Sequence, residues 1–125
     1  MKANPNSASP PVPAPPRPFA VIDMGASSIR LRVAELHPDG RVRTLESLQH
    51  AVHLGKDTFT TGHIQPATID ECLEVLRDFR RIMTEYGIAH EDQMRAVATS
   101  AIREAENRDA VLGLTDGAEI GRAHV

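Results

Sequence analysis

The chain has 125 residues and a mass of 13.6 kDa, which is the size of a single domain. Hydrophobic residues make up 41% of it, charged residues 25% and aromatic residues only 3%, so we expect a soluble protein with an aliphatic core. A formal net charge of -3 gives the whole chain no attraction for nucleic acid or an anionic membrane, and no apolar run is long enough to span a bilayer. We therefore expect a cytoplasmic protein without nucleic-acid or membrane partners, in which any anion site is local.

The N-terminal segment is rich in proline, since seven of the nine prolines lie in residues 1–18. It has almost no large apolar side chain, so it cannot bury enough surface to offset the entropy lost on ordering. We predict a disordered, partly polyproline extension over 1–18, with a ligand for a proline-recognition domain as the alternative. The ordered domain is expected to start at Phe19.

Three antiparallel strands are predicted to open the domain. The apolar run 19–25 is typical of a short strand that stops at a glycine, and the small residues 26–28 form a turn. Alternating apolar and polar residues over 29–34 indicate a second strand with one exposed face. Another turn at 37–40 precedes a third alternating segment at 42–46, so the start reads as a hairpin meander.

The next stretch contains the clearest element of the chain. Residues 49–63 lose all periodicity and are interpreted as a structured loop. Apolar residues recur at helical spacing over 66–86, and Gly87 follows as a stop signal. Cys72 lies on the apolar face of this helix and is expected to be a core residue rather than a reactive thiol. Residues 94–99 are short and apolar, which favours a buried parallel strand.

A short helix should follow this strand. Ser100 is placed to cap it, Ile102 and Ala105 form its apolar side, and Asn107 or Asp109 offers a point where it restarts. A hairpin meander followed by helix, strand and helix predicts an α/β fold.

The first candidate site is the turn after the first strand. Asp23 ends an apolar segment, and the small residues Gly25, Ala26, Ser27 and Ser28 follow it. Such a turn can aim backbone N–H groups and hydroxyls at a phosphate, while the carboxylate holds a metal ion or a water molecule. An ordinary hairpin connection is the competing interpretation and, on spacing alone, the more frequent one.

The second candidate is Arg103, in the first turn of the helix that follows the parallel strand. A helix N-terminus attracts anions, and a guanidinium group there can bind phosphate with two hydrogen bonds. The alternative is a surface arginine paired with Glu106 or Asp109.

Together these segments resemble the exopolyphosphatase and guanosine pentaphosphate phosphohydrolase family. Residues 20–31 (Ala-Val-Ile-Asp-Met-Gly-Ala-Ser-Ser-Ile-Arg-Leu) are similar to its first phosphate loop, and 97–109 (Val-Ala-Thr-Ser-Ala-Ile-Arg-Glu-Ala-Glu-Asn-Arg-Asp) to its second signature. Residues 52–62 also resemble its linking segment, and the order and spacing agree. The resemblance covers 19–112.

The resemblance implies an actin-like, ribonuclease-H-like ATPase half domain from an enzyme that releases terminal phosphate from polyphosphate or guanosine pentaphosphate. By analogy with the family, Mg²⁺ is the expected cofactor and Asp23 would assist the metal or the attacking water. Gly25, Ala26, Ser27 and Ser28 would cradle phosphate, and Arg103 would bind a phosphate of the chain. Homodimers are expected for the full-length relatives.

Several departures from the family pattern bear on activity. Ala26 and Ser27 stand where the family usually has Ser-Asn, and His53 stands where it often has arginine. The family's later Ser-Gly-x-Glu-Glu-Ala segment with the catalytic glutamate, and its second phosphate loop Asp-Ile-Gly-Gly-Gly-Ser, do not occur in this sequence. We therefore expect no catalytic base in this chain, and a non-catalytic phosphate or nucleotide-binding module is the alternative function.

The last residues stop resembling the family. Residues 113–125 do not continue the helical pattern, and 119–125 read Glu-Ile-Gly-Arg-Ala-His-Val. A common sequencing adapter, read after a G, translates as these same residues followed by a stop codon. We expect 113–125 to be non-native, 119–125 to be adapter read-through, and the half domain to be incomplete there. This would leave an exposed strand edge and a tendency to aggregate.

Overall fold

The computed structural model describes residues 14–125. The predicted proline-rich extension therefore lies mostly outside the described residues. Within them, the first strand starts at Arg17, two residues before the expected start of the domain. Arg17 and Pro18 already pair with Leu36 and Glu35 of the following strand, which explains the earlier start.

A four-stranded mixed sheet organises the fold. Its strands are β1 (Arg17–Met24), β2 (Ser28–Leu36), β3 (Val42–Ala51) and β4 (Met94–Ala98), in the spatial order β3-β2-β1-β4. The pairs β1–β2 and β2–β3 are antiparallel, whereas β1 and β4 are parallel. The predicted meander and the predicted parallel strand are both confirmed.

Besides a 3-10 turn at Glu91–Gln93, five α-helices, two of them only four residues long, accompany the sheet in the described part of the chain. They are α1 (Leu54–Thr61), α2 (Pro66–Glu85), α3 (Ser100–Arg103), α4 (Arg108–Leu112) and α5 (Leu114–Gly117). The predicted loop over 49–63 is wrong, because β3 extends to Ala51 and α1 follows. Threonine and glycine have low helix propensity, but Leu54 and Thr58 of α1 are buried, so tertiary packing outweighs propensity here.

Helix α2 confirms the strongest periodicity in the sequence. Pro66 is its first residue, where the missing N–H group costs nothing. Tyr86 caps its C-terminus, and Gly87 then adopts φ +80°, a backbone conformation that strongly favours glycine.

The shorter helices differ in detail from expectation. Thr99 rather than Ser100 is the N-cap of α3, and its side chain makes no capping hydrogen bond because the hydroxyl donates to the Met24 carbonyl instead. Helix α5 lies where no helix was predicted. The predicted open edge beside β4 is partly covered, since His124 forms a parallel bridge with Val97.

The core lies on one face of the sheet, between the strands and helices α1 to α5. It is aliphatic as predicted, and Ile22, Leu31 and Leu76 are among its least exposed members. Cys72 is fully buried within it, and burial raises the pKa of its thiol to about 12, with a smaller contribution from Glu71. The opposite face of the sheet is exposed to solvent. In the described range, no helix is both long enough and apolar enough to cross a membrane.

Candidate functional site

The parallel pairing of β1 with β4 brings the two predicted site segments to one edge of the sheet. Met24 is the partner of Ala98, so both strands end side by side. The Thr99 N–H and hydroxyl then lie 3.3 and 3.4 Å from the Met24 carbonyl oxygen. Ligands of α/β proteins bind at the carboxyl edge of parallel strands, which is where Asp23 and the loop 25–28 face the start of α3.

Three of the four backbone carbonyl groups of the loop 25–28 accept hydrogen bonds within the protein. The Ser28 oxygen accepts from the Gly25 N–H at 2.9 Å, the Ala26 oxygen from the Gly55 N–H at 2.8 Å, and the Ser27 oxygen from the Val52 N–H at 3.0 Å. In contrast, the N–H groups of Ala26 and Ser27 have no backbone acceptor among the described residues. Because these three carbonyl groups are occupied while the two N–H groups have no backbone acceptor there, the loop is suited to an anion.

The loop is also not a standard two-residue hairpin turn. Type I′ and II′ turns need a positive φ at the first central residue, and neither Ala26 nor Ser27 has one. Both residues are exposed, whereas Gly25 is half-buried and Ser28 is only 6% exposed. The Ser27 hydroxyl is therefore open to a ligand, and Ser28 contributes mainly to the packing of β2.

Asp23 lies on the solvent-exposed face of the sheet, one residue before the end of β1. Its cross-strand partners are Arg30 in β2 and Val97 in β4. Mg²⁺ bound to phosphates commonly takes one or two carboxylates from the protein, with waters and phosphate oxygens completing an octahedron. Asp23 can supply one such carboxylate. Within 14–125, no group of three or more acidic, histidine or cysteine side chains gathers.

Arg103 ends α3 and its side chain is exposed to solvent. It forms no ion pair with any described residue, whereas Asp109 is 3.5 Å from Arg122. The alternative pairing with Glu106 or Asp109 is thus not observed. Because α3 has only four residues, its dipole is small, and attraction of an anion to this segment depends on the guanidinium group itself.

Arg30 lies within the first motif, residues 20–31, but its sequence context alone predicts no role for it. Strand alternation places Arg30 on the same face as Asp23, and the short loop between β1 and β2 places the two side by side. Gly55 is a second residue that the sequence does not single out, and an added Cβ there would lie 2.8 Å from the Cβ of Ala26. The residue therefore has to be glycine for α1 to approach the loop this closely.

Comparison with known proteins agrees with this arrangement. Residues 32–118 match the model of the Ppx/GppA phosphatase family. Exopolyphosphatase 2 of Mycobacterium tuberculosis is 32% identical over 99 residues, which are 77% of this chain and 30% of that protein. Exopolyphosphatase 1 of the same organism is 30% identical over 94 residues, 75% of this chain and 26% of that protein.

Solved structures agree as well. The Aquifex aeolicus Ppx/GppA family member superposes with a TM-score of 0.78 at 28% identity, covering 89% of this chain and 35% of that one. An exopolyphosphatase from Cytophaga hutchinsonii gives a TM-score of 0.75 at 29% identity, covering 86% and 33%. The chain thus spans about a third or less of the length of these relatives. The shared architecture confirms the predicted α/β, actin-like ATPase half domain, and by family model, sequence and structure the chain belongs to the Ppx/GppA phosphatase family.

Proposed function

We propose that this chain forms the first phosphate-binding part of a phosphohydrolase that releases terminal phosphate from inorganic polyphosphate or guanosine pentaphosphate. One observation carries the proposal: two N–H groups without a backbone acceptor (Ala26 and Ser27) and a guanidinium without an ion pair (Arg103), as judged over residues 14–125, follow adjacent parallel strands. Directed N–H donors and a guanidinium group are the elements that stabilise charge on a transferring phosphoryl group.

Two groups next to the loop give the proposal its chemistry. Asp23 would hold Mg²⁺ or orient a water molecule, and Mg²⁺ bound there would neutralise charge on the phosphate oxygens. Arg103 would bind a phosphate through two parallel N–H donors, in a geometry that lysine cannot reproduce. The catalytic base is assigned to none of the described residues of this chain.

A non-catalytic phosphate or nucleotide-binding module is the second candidate. It is favoured by the single carboxylate on the two strands that end at this edge, because general acid–base catalysis of hydrolysis calls for a positioned proton acceptor in addition to a metal ligand. Reading the source gene beyond the codon for Ala118 separates the candidates. An in-frame Ser-Gly-x-Glu-Glu-Ala segment supports the hydrolase, and a gene without it supports the binding module.

The binding step common to both candidates is tested by titrating the chain with polyphosphate of defined length, with and without Mg²⁺. Arg103→Ala should weaken binding by about 2 kcal/mol, which is roughly 30-fold in Kd, because a hydrogen-bonded charge pair is lost. Asp23→Asn should remove any gain in affinity that Mg²⁺ provides. Arg77→Ala is the matched control, since it removes an exposed arginine from α2, outside this edge.

The outcomes are distinct. A wild-type chain that binds neither polyphosphate nor guanosine pentaphosphate would refute the proposal. Equal weakening by Arg77→Ala and Arg103→Ala would show that only overall charge matters, and the assigned site would be wrong. Parallel titrations with the two compounds show which one the site prefers.

A further inference from the structure

Helix α1 touches both halves of the proposed phosphate site. At its start, the Gly55 N–H donates to the Ala26 carbonyl of the loop at 2.8 Å. One turn later, the hydroxyl of Thr58 donates to the Ala101 carbonyl of α3 at 2.7 Å. This single helix therefore connects the loop to the segment that carries Arg103.

The hydrogen bond of Thr58 has a specific structural cause. Helix α3 ends after Arg103, and the Ala105 N–H donates to Ile102 rather than to Ala101. The Ala101 carbonyl is thus left without a backbone donor in the described structure, and it lies at a buried position. Thr58, only 5% exposed, supplies the missing donor, and an unpaired buried carbonyl would cost free energy.

Asn107 makes a second connection of the same kind. It occupies the N-cap position of α4 but its side chain does not cap that helix. Instead, its Oδ1 accepts from the Ile64 N–H and its Nδ2 donates to the Ile64 carbonyl, both at 2.9 Å. The Glu106 N–H donates to the Gly62 carbonyl at 2.9 Å beside it. The end of α1 is therefore fastened to the chain that follows Arg103.

We propose that Thr58 and Asn107 are positioning residues of the phosphate site, which act through α1 to hold Arg103 at a fixed separation from the N–H groups of Ala26 and Ser27. Simultaneous contact of one phosphate chain with both groups requires that separation to be set before binding. The identity of the ligand rests on the proposed function, whereas the coupling of the two segments through α1 does not.

A double-mutant cycle on polyphosphate affinity tests the proposal. Thr58→Val removes the hydroxyl at nearly constant volume and should weaken binding by roughly fivefold or more when Arg103 is present. The same change in an Arg103→Ala background should have almost no effect, because the group being positioned is gone. Thr58→Ser keeps the hydroxyl and should restore most of the affinity.

Thr61→Val is the matched control within the same helix. The exposed Thr61 hydroxyl lies 2.8 Å from the Asp57 carbonyl oxygen and 2.9 Å from that of His63, and within residues 14–125 it forms no hydrogen bond with α3. It should leave affinity within about twofold. Should Thr58→Val weaken binding equally with and without Arg103, its role is purely structural and the proposal is overturned.

Amide hydrogen exchange provides a readout that needs no ligand. The Ile102 and Arg103 N–H groups both donate to the Thr99 carbonyl, and Thr58→Val should speed their exchange more than Thr61→Val does. Asn107→Asp keeps the acceptor but loses the donor to Ile64, and it should also speed exchange of these two N–H groups. It replaces Thr58→Val in this test if that variant does not fold. If the wild-type chain binds no polyphosphate, the proposed function fails, but hydrogen exchange still tests the coupling. Faster exchange of the Ile102 and Arg103 N–H groups in Thr58→Val than in Thr61→Val supports the coupling, and equal exchange in the two variants refutes it.

Discussion

Replacing Gly55 with alanine tests the close approach of α1 to the phosphate loop. The new Cβ would lie 2.8 Å from the Ala26 Cβ and 3.3 Å from the Ala26 carbonyl oxygen. Ordinary carbon contacts are about 3.5–4.0 Å, so α1 or the loop has to move by about 0.7 Å or more. Overpacking of this kind costs about 1–3 kcal/mol, and the gain in helix propensity from glycine to alanine offsets up to about 1 kcal/mol of it.

We therefore expect Gly55→Ala to lower the free energy of unfolding by about 1 kcal/mol, measured by urea denaturation with an unchanged m-value. The same movement should weaken polyphosphate binding, because the loop donors shift relative to Arg103. Ala26→Gly deletes the methyl group that the new side chain meets. The double variant should consequently be more stable than the sum of the two single changes predicts.

Gly117→Ala is the matched control, since an added Cβ there would meet no atom within 4 Å. It should be neutral or raise stability by up to about 1 kcal/mol. If Gly55→Ala is as stable as the wild type, or if it is destabilised and Ala26→Gly provides no rescue, α1 does not pack against the loop as described.

Three further predictions concern the scaffold around the site. Gly87→Ala should lower the free energy of unfolding by about 1–2 kcal/mol through the positive φ alone, since no atom lies within 4 Å of an added Cβ. Gly87→Asn should lower it by less, and equal urea midpoints for the two variants would contradict this. Because burial raises the pKa of the Cys72 thiol to about 12, alkylation at pH 8 should proceed only as fast as the protein unfolds, and rapid labelling of the folded protein would count against a buried thiol. Burial alone would raise the pKa of Asp57, but hydrogen bonds from Thr68 and from the Gln65 N–H, together with the nearby charges of His53 and Lys56, hold the pKa below its ordinary value of 3.8. The stability contributed by the Asp57 charge is thus present above pH 3.8 and lost as pH falls through the lowered pKa. The difference in free energy of unfolding between the wild type and Asp57→Asn should therefore shrink in acid, and a difference that does not depend on pH would refute this prediction.

Much of the fold follows from local patterns. Alternation over β2 identifies Leu31 as a core residue, because side chains in a strand point to opposite sides in turn. The apolar run of β1 predicts a buried strand, and only the structure shows that Asp23 lies on its solvent-exposed face. Helical spacing identifies α2, and Pro66 and Gly87 mark its ends for reasons of backbone chemistry.

The site is only partly predictable in this way. Asp23, the loop 25–28 and Arg103 were identified from residue types at the ends of predicted strands, and the pairing of β1 with β4 places their segments at one edge of the sheet. The sequence did not show that Arg103 has no ion-pair partner within residues 14–125. Which acidic side chain reaches a given arginine depends on where neighbouring segments lie in space.

The sequence by itself determined the strands, the long helix and the family, because apolar periodicity and the two motifs are properties of neighbouring residues. Tertiary structure alone decided that residues 54–61 form a helix and that this helix connects the loop to α3. Thr58 meets Ala101, and Asn107 meets Ile64, each across 43 positions of the chain. Local propensity opposes a helix in this Thr- and Gly-containing stretch. Such contacts form only when the folded sheet brings distant segments together, and burying Leu54 and Thr58 then outweighs the weak propensity.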